Sequence, residues 1–169
     1  MDNTIDKYNS SIKNISNTKI IISSTQYPGY GGAATNAYEL IKYFRKLDFN
    51  VCGIFFNSDI NVNYDPDNIN GIYIYDFKNY DKDKVYSNAV SYLKGTPTIC
   101  FAKNYMAPYL CKEIFNCYTV YLVSGINHFC LPKFSRTTGQ DIIKDRVVFN
   151  IDIPKEIKCN TMVDLIVLN

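Results

Sequence analysis

The chain has 169 residues, 47% hydrophobic and 20% charged, with a formal net charge of +2. That length suits one domain whose core removes about two-thirds of the unfolded surface from water. The balance excludes a wholly disordered chain, a simple coiled coil and a basic nucleic-acid-binding surface, and no apolar run approaches the roughly 18–20 residues of a membrane span.

Residues 1–17 are polar and aperiodic and read as a flexible tail. They carry no basic segment followed by an apolar one, so no signal peptide is expected. A first strand is expected at Lys19–Ser24, a continuous β-branched run of the kind buried on both faces of a parallel sheet. The loop Tyr27-Pro28-Gly29-Tyr30-Gly31-Gly32 follows. From Thr35 the period becomes helical, with Ala37, Leu40, Ile41, Phe44 and Leu47 on one face. Asp48 ends this helix in the left-handed conformation that glycine usually takes. Val51–Phe56 is the second strand, and 57–70 is a polar linker. Gly71–Tyr75 is the third strand and Lys82–Leu93 a helix. Thr98–Ala102 is the fourth strand, Tyr105–Phe115 a helix and Thr119–Val123 the fifth strand. Residues 124–146 have no clear period. Lys155–Met162 reads as a short helix, and Asp164–Leu168 as a last, buried strand. The alternation predicts an α/β fold, a Rossmann-like three-layer sandwich with a mainly parallel sheet, over residues 18–169.

The six cysteines, Cys52, Cys100, Cys111, Cys117, Cys130 and Cys159, form no CxxC pair and several sit in apolar runs. They read as buried free thiols in a reducing, cytoplasmic compartment. Asn, Ile, Lys and Tyr make up about two-fifths of the chain and Trp is absent, a bias toward AT-rich codons. It points to a low-GC genome, such as that of a protist, a parasite or a large DNA virus, and not to a function.

Three places carry candidate chemistry. The Gly31-Gly32-Ala33-Ala34 stretch joins the end of a strand to the start of a helix, where α/β sheets bind ligands and helix N–H groups favour anions. The alternative is a tight turn with small residues for packing. No Lys-Ser/Thr follows, so it is not a P-loop, and the GxGxxG pattern is missing although Asp59 stands near the end of the second strand. Val123-Ser124-Gly125-Ile126-Asn127-His128 ends the fifth strand and holds the single histidine. His128 is either a packing residue or a catalyst, and with no GxSxG a hydrolase triad has little support. Lys103, after the fourth strand, either meets a phosphate or is a solvated strand end. No metal-ligand spacing is present.

The segments Ile20-Ile21-Ile22-Ser23, Gly31-Gly32-Ala33-Ala34, Ala37-Tyr38-Glu39-Leu40 and Leu47-Asp48-Phe49-Asn50-Val51 resemble the N-terminal domain of GT-B fold glycosyltransferases. The nearest likeness is to the retaining family 4, whose members usually have Gly where Asp48 stands. Cys159–Asn169 resembles the segment closing that domain. The resemblance implies an acceptor-side domain of an enzyme that moves a sugar from a nucleotide sugar, a UDP- or GDP-sugar, to a hydroxyl of a glycan, lipid or protein, with retention. It implies a C-terminal donor-binding domain outside this chain, without which the chain is inactive, and no metal. Gly31, Gly32 and Ala33 would approach the donor diphosphate. Lys103, Ser124, Gly125 and Asn127 would line the same rim, and His128 is the candidate for the family's displaced histidine. Two other readings stand beside it. One is a non-catalytic domain binding a nucleotide, sugar or protein partner. The other is a different Rossmann-like enzyme, a methyltransferase or reductase.

Overall fold

A computed structural model describes residues 17–26, 32–57, 70–104, 106–123, 157–158 and 161–168. In chain order the elements are β1 (Lys19–Ser24), α1 (Gly32–Lys46), β2 (Asn50–Asn57), β3 (Ile72–Asp76), α2 (Lys82–Leu93), β4 (Ile99–Lys103), α3 (Met106–Phe115), β5 (Tyr118–Val123) and β6 (Leu165–Leu168). The expected tail lies almost wholly outside the described residues. So does the 124–146 segment. Of the expected helix at 155–162, residues 157–158 and 161–162 are described, and these are helical.

The strands form one sheet in the order β3-β2-β1-β4-β5-β6, and every pair is parallel. The chain first steps from β1 outward to β2 and β3, then returns across the sheet to β4 and continues to β5 and β6. Right-handed crossovers then require α1 on one face and α2 and α3 on the other. Two hydrophobic clusters bear this out. Ala37 and Ile41 of α1 pack with Ile20, Ile22, Val51 and Phe55. Val85, Ala89 and Leu93 of α2 and Ala107, Leu110, Cys111 and Phe115 of α3 pack with Ile21, Cys52, Ile54, Cys100 and Ala102. Successive strand residues alternate between the two clusters, as the pleat demands. The result is a three-layer, Rossmann-like α/β sandwich.

Local chemistry sets the boundaries. Asp81 caps α2, its carboxylate accepting from the Asp83 and Lys84 N–H groups at 2.9 and 3.2 Å. Lys94 (φ 53°), Asn116 (φ 47°) and Asp48 (φ 59°) take the left-handed turn after α2, α3 and α1. Gly71 has φ +75°, and a Cβ there would collide with the Tyr92 ring. The four described cysteines are free and buried. Burial pushes the Cys52 thiol up to about 12 and Cys117 to about 11, so neither is a ready nucleophile.

Three expectations need correction. Helix α1 begins at Gly32 and not at Thr35, so Gly32, Ala33 and Ala34 are helical. Leu47 falls in the turn after α1 and is exposed. Strand β6 is not buried: it lies at the sheet edge, with Leu165, Ile166 and Val167 at 47%, 39% and 37% exposure. Its apolar run matches a central strand in composition, but pairing on one side only leaves it open. Among the described residues no helix is long and apolar enough to cross a membrane.

Candidate functional site

The strand order reverses direction between β1 and β4: β2 and β3 extend to one side, β5 and β6 to the other. In open α/β sheets the crevice at the carboxyl ends of such strands receives ligands. Four of the five buried polar residues of the described chain gather there: Ser23, Ser24, Asn57 and Lys103. The fifth, Thr119, is accounted for by its bond to the Cys117 carbonyl at 3.0 Å.

The strand register assigns these four residues to faces. Ser24 pairs with Phe55 on β2 and Lys103 on β4. Phe55 packs in the α1 cluster, and so does Phe101, two residues before Lys103. Ser24, Lys103 and Asn57, which is two residues past Phe55, therefore lie on the α1 face. A crossover helix runs antiparallel to its strands, so the first turn of α1 also belongs to this end. Ser23 pairs with Ile54 and Ala102 and lies on the opposite face, where its buried Oγ has no hydrogen-bond partner.

Asn104 ties the two central strand ends together. Its Nδ2 donates to Thr25 Oγ1 at 3.0 Å and to Ser24 Oγ at 3.4 Å. Its carbonyl accepts from Ala107 N at 3.1 Å and so starts α3. These bonds hold its backbone at φ 66°, a region Asn tolerates better than most residues. Sequence reading named no role for Asn104; a polar residue between a strand and a helix was the available signal.

The expected site residues divide as follows. Gly32 and Ala33 open α1, and a Cβ at Gly32 would meet no atom within 4 Å outside its own helix and neighbours. Neither a forced φ nor a close protein contact accounts for this glycine. Lys103 is not a solvated strand end: it is the last residue of β4 and only 6% exposed. Its flanking strands β1 and β5 reach the same height, with Ser24 on one side and Leu122 on the other. Gly31, Asp59, Ser124, Gly125, Asn127 and His128 lie outside the described residues. Among the described residues no group of three His, Cys, Asp or Glu side chains suits a metal ion. A surface depression of about 640 Å³ over Glu39, Lys42, Tyr43, Arg45 and Lys46 lies on the second half of α1, toward the other end of the helix.

The fold and this rim define a Rossmann-like domain with polar and small residues gathered at the carboxyl ends of its central strands. No family model and no curated protein matches the chain.

Proposed function

We propose that the chain is the N-terminal, acceptor-side domain of a sugar-nucleotide-dependent glycosyltransferase of the GT-B type, resembling retaining family 4. The observation that carries this reading is the small-residue start of α1, Gly32-Ala33-Ala34, at the β1 switch point, where a Cβ added at Gly32 would meet no described atom within 4 Å outside its own helix and chain neighbours. A diphosphate can approach such a backbone closely. N–H groups of the first turn then stabilise the negative charge that develops as the diphosphate leaves.

In the reaction the bond between the sugar's anomeric carbon and the diphosphate oxygen breaks. A bond to the acceptor oxygen forms on the same face, and the acceptor proton passes to the departing phosphate. His128 is the candidate side chain near the acceptor. A second Rossmann-like domain of the same protein would hold most of the nucleotide sugar, so this chain alone binds without transferring. The four free buried cysteines support a reducing compartment such as the cytoplasm.

The test is a thermal-shift screen of UDP- and GDP-sugars against the full-length gene product, followed by turnover with the donor that binds. Gly32→Val should cut turnover strongly in a protein that still folds, because the new methyl groups occupy the diphosphate's approach. Unchanged turnover would remove the loop from the mechanism. No shift with any nucleotide sugar would favour the non-catalytic reading.

A further inference from the structure

One face of the sheet is only half covered by the described helices. On that side α1 packs over β1 and β2 and reaches β4. The cluster it forms takes in no residue of β5 or β6. Register carries the same face outward: Phe101 pairs with Val120, Val120 with Leu165, and Leu122 with Val167. Leu165 and Val167 are exposed there, as is Tyr118. Val120 lies between Phe101 and Leu165, yet it is only 3% exposed. Its strand neighbours flank it without covering it, and α1 stands two strands away, so something further shields it.

The connection from β5 to β6 belongs to the opposite side. Strand β6 lies beyond β5 in the direction in which β5 lies beyond β4. A right-handed crossover between them therefore runs on the α3 side of the sheet. Helices α2 and α3 fill that side over the central strands. The remaining candidate is the segment before β1.

In composition residues 1–16 are a polar tail, yet their apolar side chains are regularly spaced, which amends the aperiodic reading. Met1, Ile5, Tyr8, Ile12 and Ile15 recur at intervals of 4, 3, 4 and 3. That is the stripe of an amphipathic helix. Every other residue of the segment is Asn, Ser, Thr, Asp or Lys. The first four of these are weak helix formers, so such a helix needs a partner for its stripe. Length and position both fit the half-covered face. As a helix, residues 5–16 span about 18 Å, and the six residues of β5 span about 20 Å. Helices pack about 8–10 Å apart, roughly two strand spacings, so the place beside α1 lies over β4 and β5. The segment leads into β1, where Lys19 N donates to Thr98 Oγ1 at 3.1 Å, at the entry to β4. A helix that ends there runs antiparallel to the strands, as α1 does.

We infer that residues 5–16 form an amphipathic helix docked on the α1 side of β4, β5 and β6, its apolar stripe against Val120, Leu165 and Val167. The helix completes the outer layer beside α1. The inference rests on the sheet and the spacing, not on the transferase reading.

The test is hydrogen exchange on the whole chain, which needs no variant to fold. The first four N–H groups of a helix have no partner within it, so the amides of residues 9–16 are the ones to read. In the wild type they should exchange at least about tenfold more slowly than in an unstructured peptide. Ile12→Asp puts a charge on the stripe. It should abolish that protection and lower Tm by about 5 °C or more. Ser10→Asp, on the opposite side of the helix, should melt within about 2 °C of the wild type. Removing residues 1–16 should speed exchange in β5 and β6. Peptide-like exchange throughout residues 9–16 of the wild type overturns the inference, and so does an Ile12→Asp protein that melts like the wild type. A truncated monomer with β5 and β6 as protected as before would assign the cover to another segment. A dimer in sedimentation that persists without residues 1–16 would assign the face to a second copy. Either result also overturns it.

Discussion

The two ends of the sheet are built differently. At the amino end of the strands, backbone and side chains close on one another. Thr98 N and Oγ1 both donate to the Lys19 carbonyl, at 2.9 and 3.1 Å. Asn50 Nδ2 donates to the Leu93 carbonyl at 2.8 Å, capping the end of α2. Arg45 Nη2 reaches the Val51 and Gly71 carbonyls at 3.1 and 3.4 Å, and its guanidinium lies 5.8 Å from the Tyr92 ring centre. Asp164 accepts from Lys112 and from Thr119 N, both at 2.7 Å, and so pins the entry to β6 beside β5. At the carboxyl end, Ser23 Oγ is buried without a partner and Lys103 without a carboxylate. One buried atom without a partner stands at each end, Arg45 Nε and Ser23 Oγ, but at the amino end it belongs to a guanidinium bonded through Nη2, whereas Ser23 Oγ is its side chain's single polar atom. Proteins tolerate such local inconsistency mainly where function requires it.

Breaking the closed end should cost stability in proportion to what is left unpaired. Arg45→Met removes two hydrogen bonds from a charged donor and should destabilise by about 2–3 kcal/mol, read from urea melts. Asn50→Ala leaves the Leu93 carbonyl half-buried without its donor and should cost about 1–2 kcal/mol in the same assay. Either variant melting like the wild type would remove the contrast at that point.

The Asp164 bonds give the closed end a pH signature. The Lys112 hydrogen bond, then the Thr119 N–H, holds this carboxyl below its ordinary value of 3.8. A folded-state pKa below the unfolded one contributes stability that is full above the unfolded value and is lost as pH falls through the folded one. Asp164→Asn should therefore lower stability at neutral pH and flatten the loss below about pH 4. A variant with the wild-type acid slope would show that the pair contributes nothing.

The smallest stability effect is expected at the open end. A Cβ added at Gly32 meets no described atom within 4 Å outside its own helix and chain neighbours, so Gly32→Val should keep stability within about 0.5 kcal/mol of wild type. A large fall in Tm would mean that Gly32 serves packing.

Much of the fold was legible because its signals are local. The continuous β-branched run of β1 announced a strand buried on both faces. Helix α2 was read with its observed bounds, Lys82–Leu93, from the helical spacing of Val85, Ala89, Val90 and Leu93, and in the structure Asp81 caps one end and Lys94 turns the other. The start of α1 was read three residues late. Gly32, Ala33 and Ala34 have too little side chain to show a helical period, and glycine pairs resemble loops. The rim was legible only in outline. Gly32 and Lys103 were named as candidates, yet Asn104, which joins β1 to β4, was not, because its partners Ser24 and Thr25 are about 80 residues away.

By itself, the sequence determined the kind of element at each place and the parallel α/β class, since strand and helix periods and their alternation are short-range properties. The tertiary structure alone decided the order of the strands, and the order decided burial. Strand β6, apolar along its length, became an exposed edge because among the described strands only β5 lies beside it. Lys103, one residue beyond an apolar run, became buried because β1 and β5 flank it at the same height. Solvent exposure follows from which strands lie alongside, and that is settled between residues far apart in the chain.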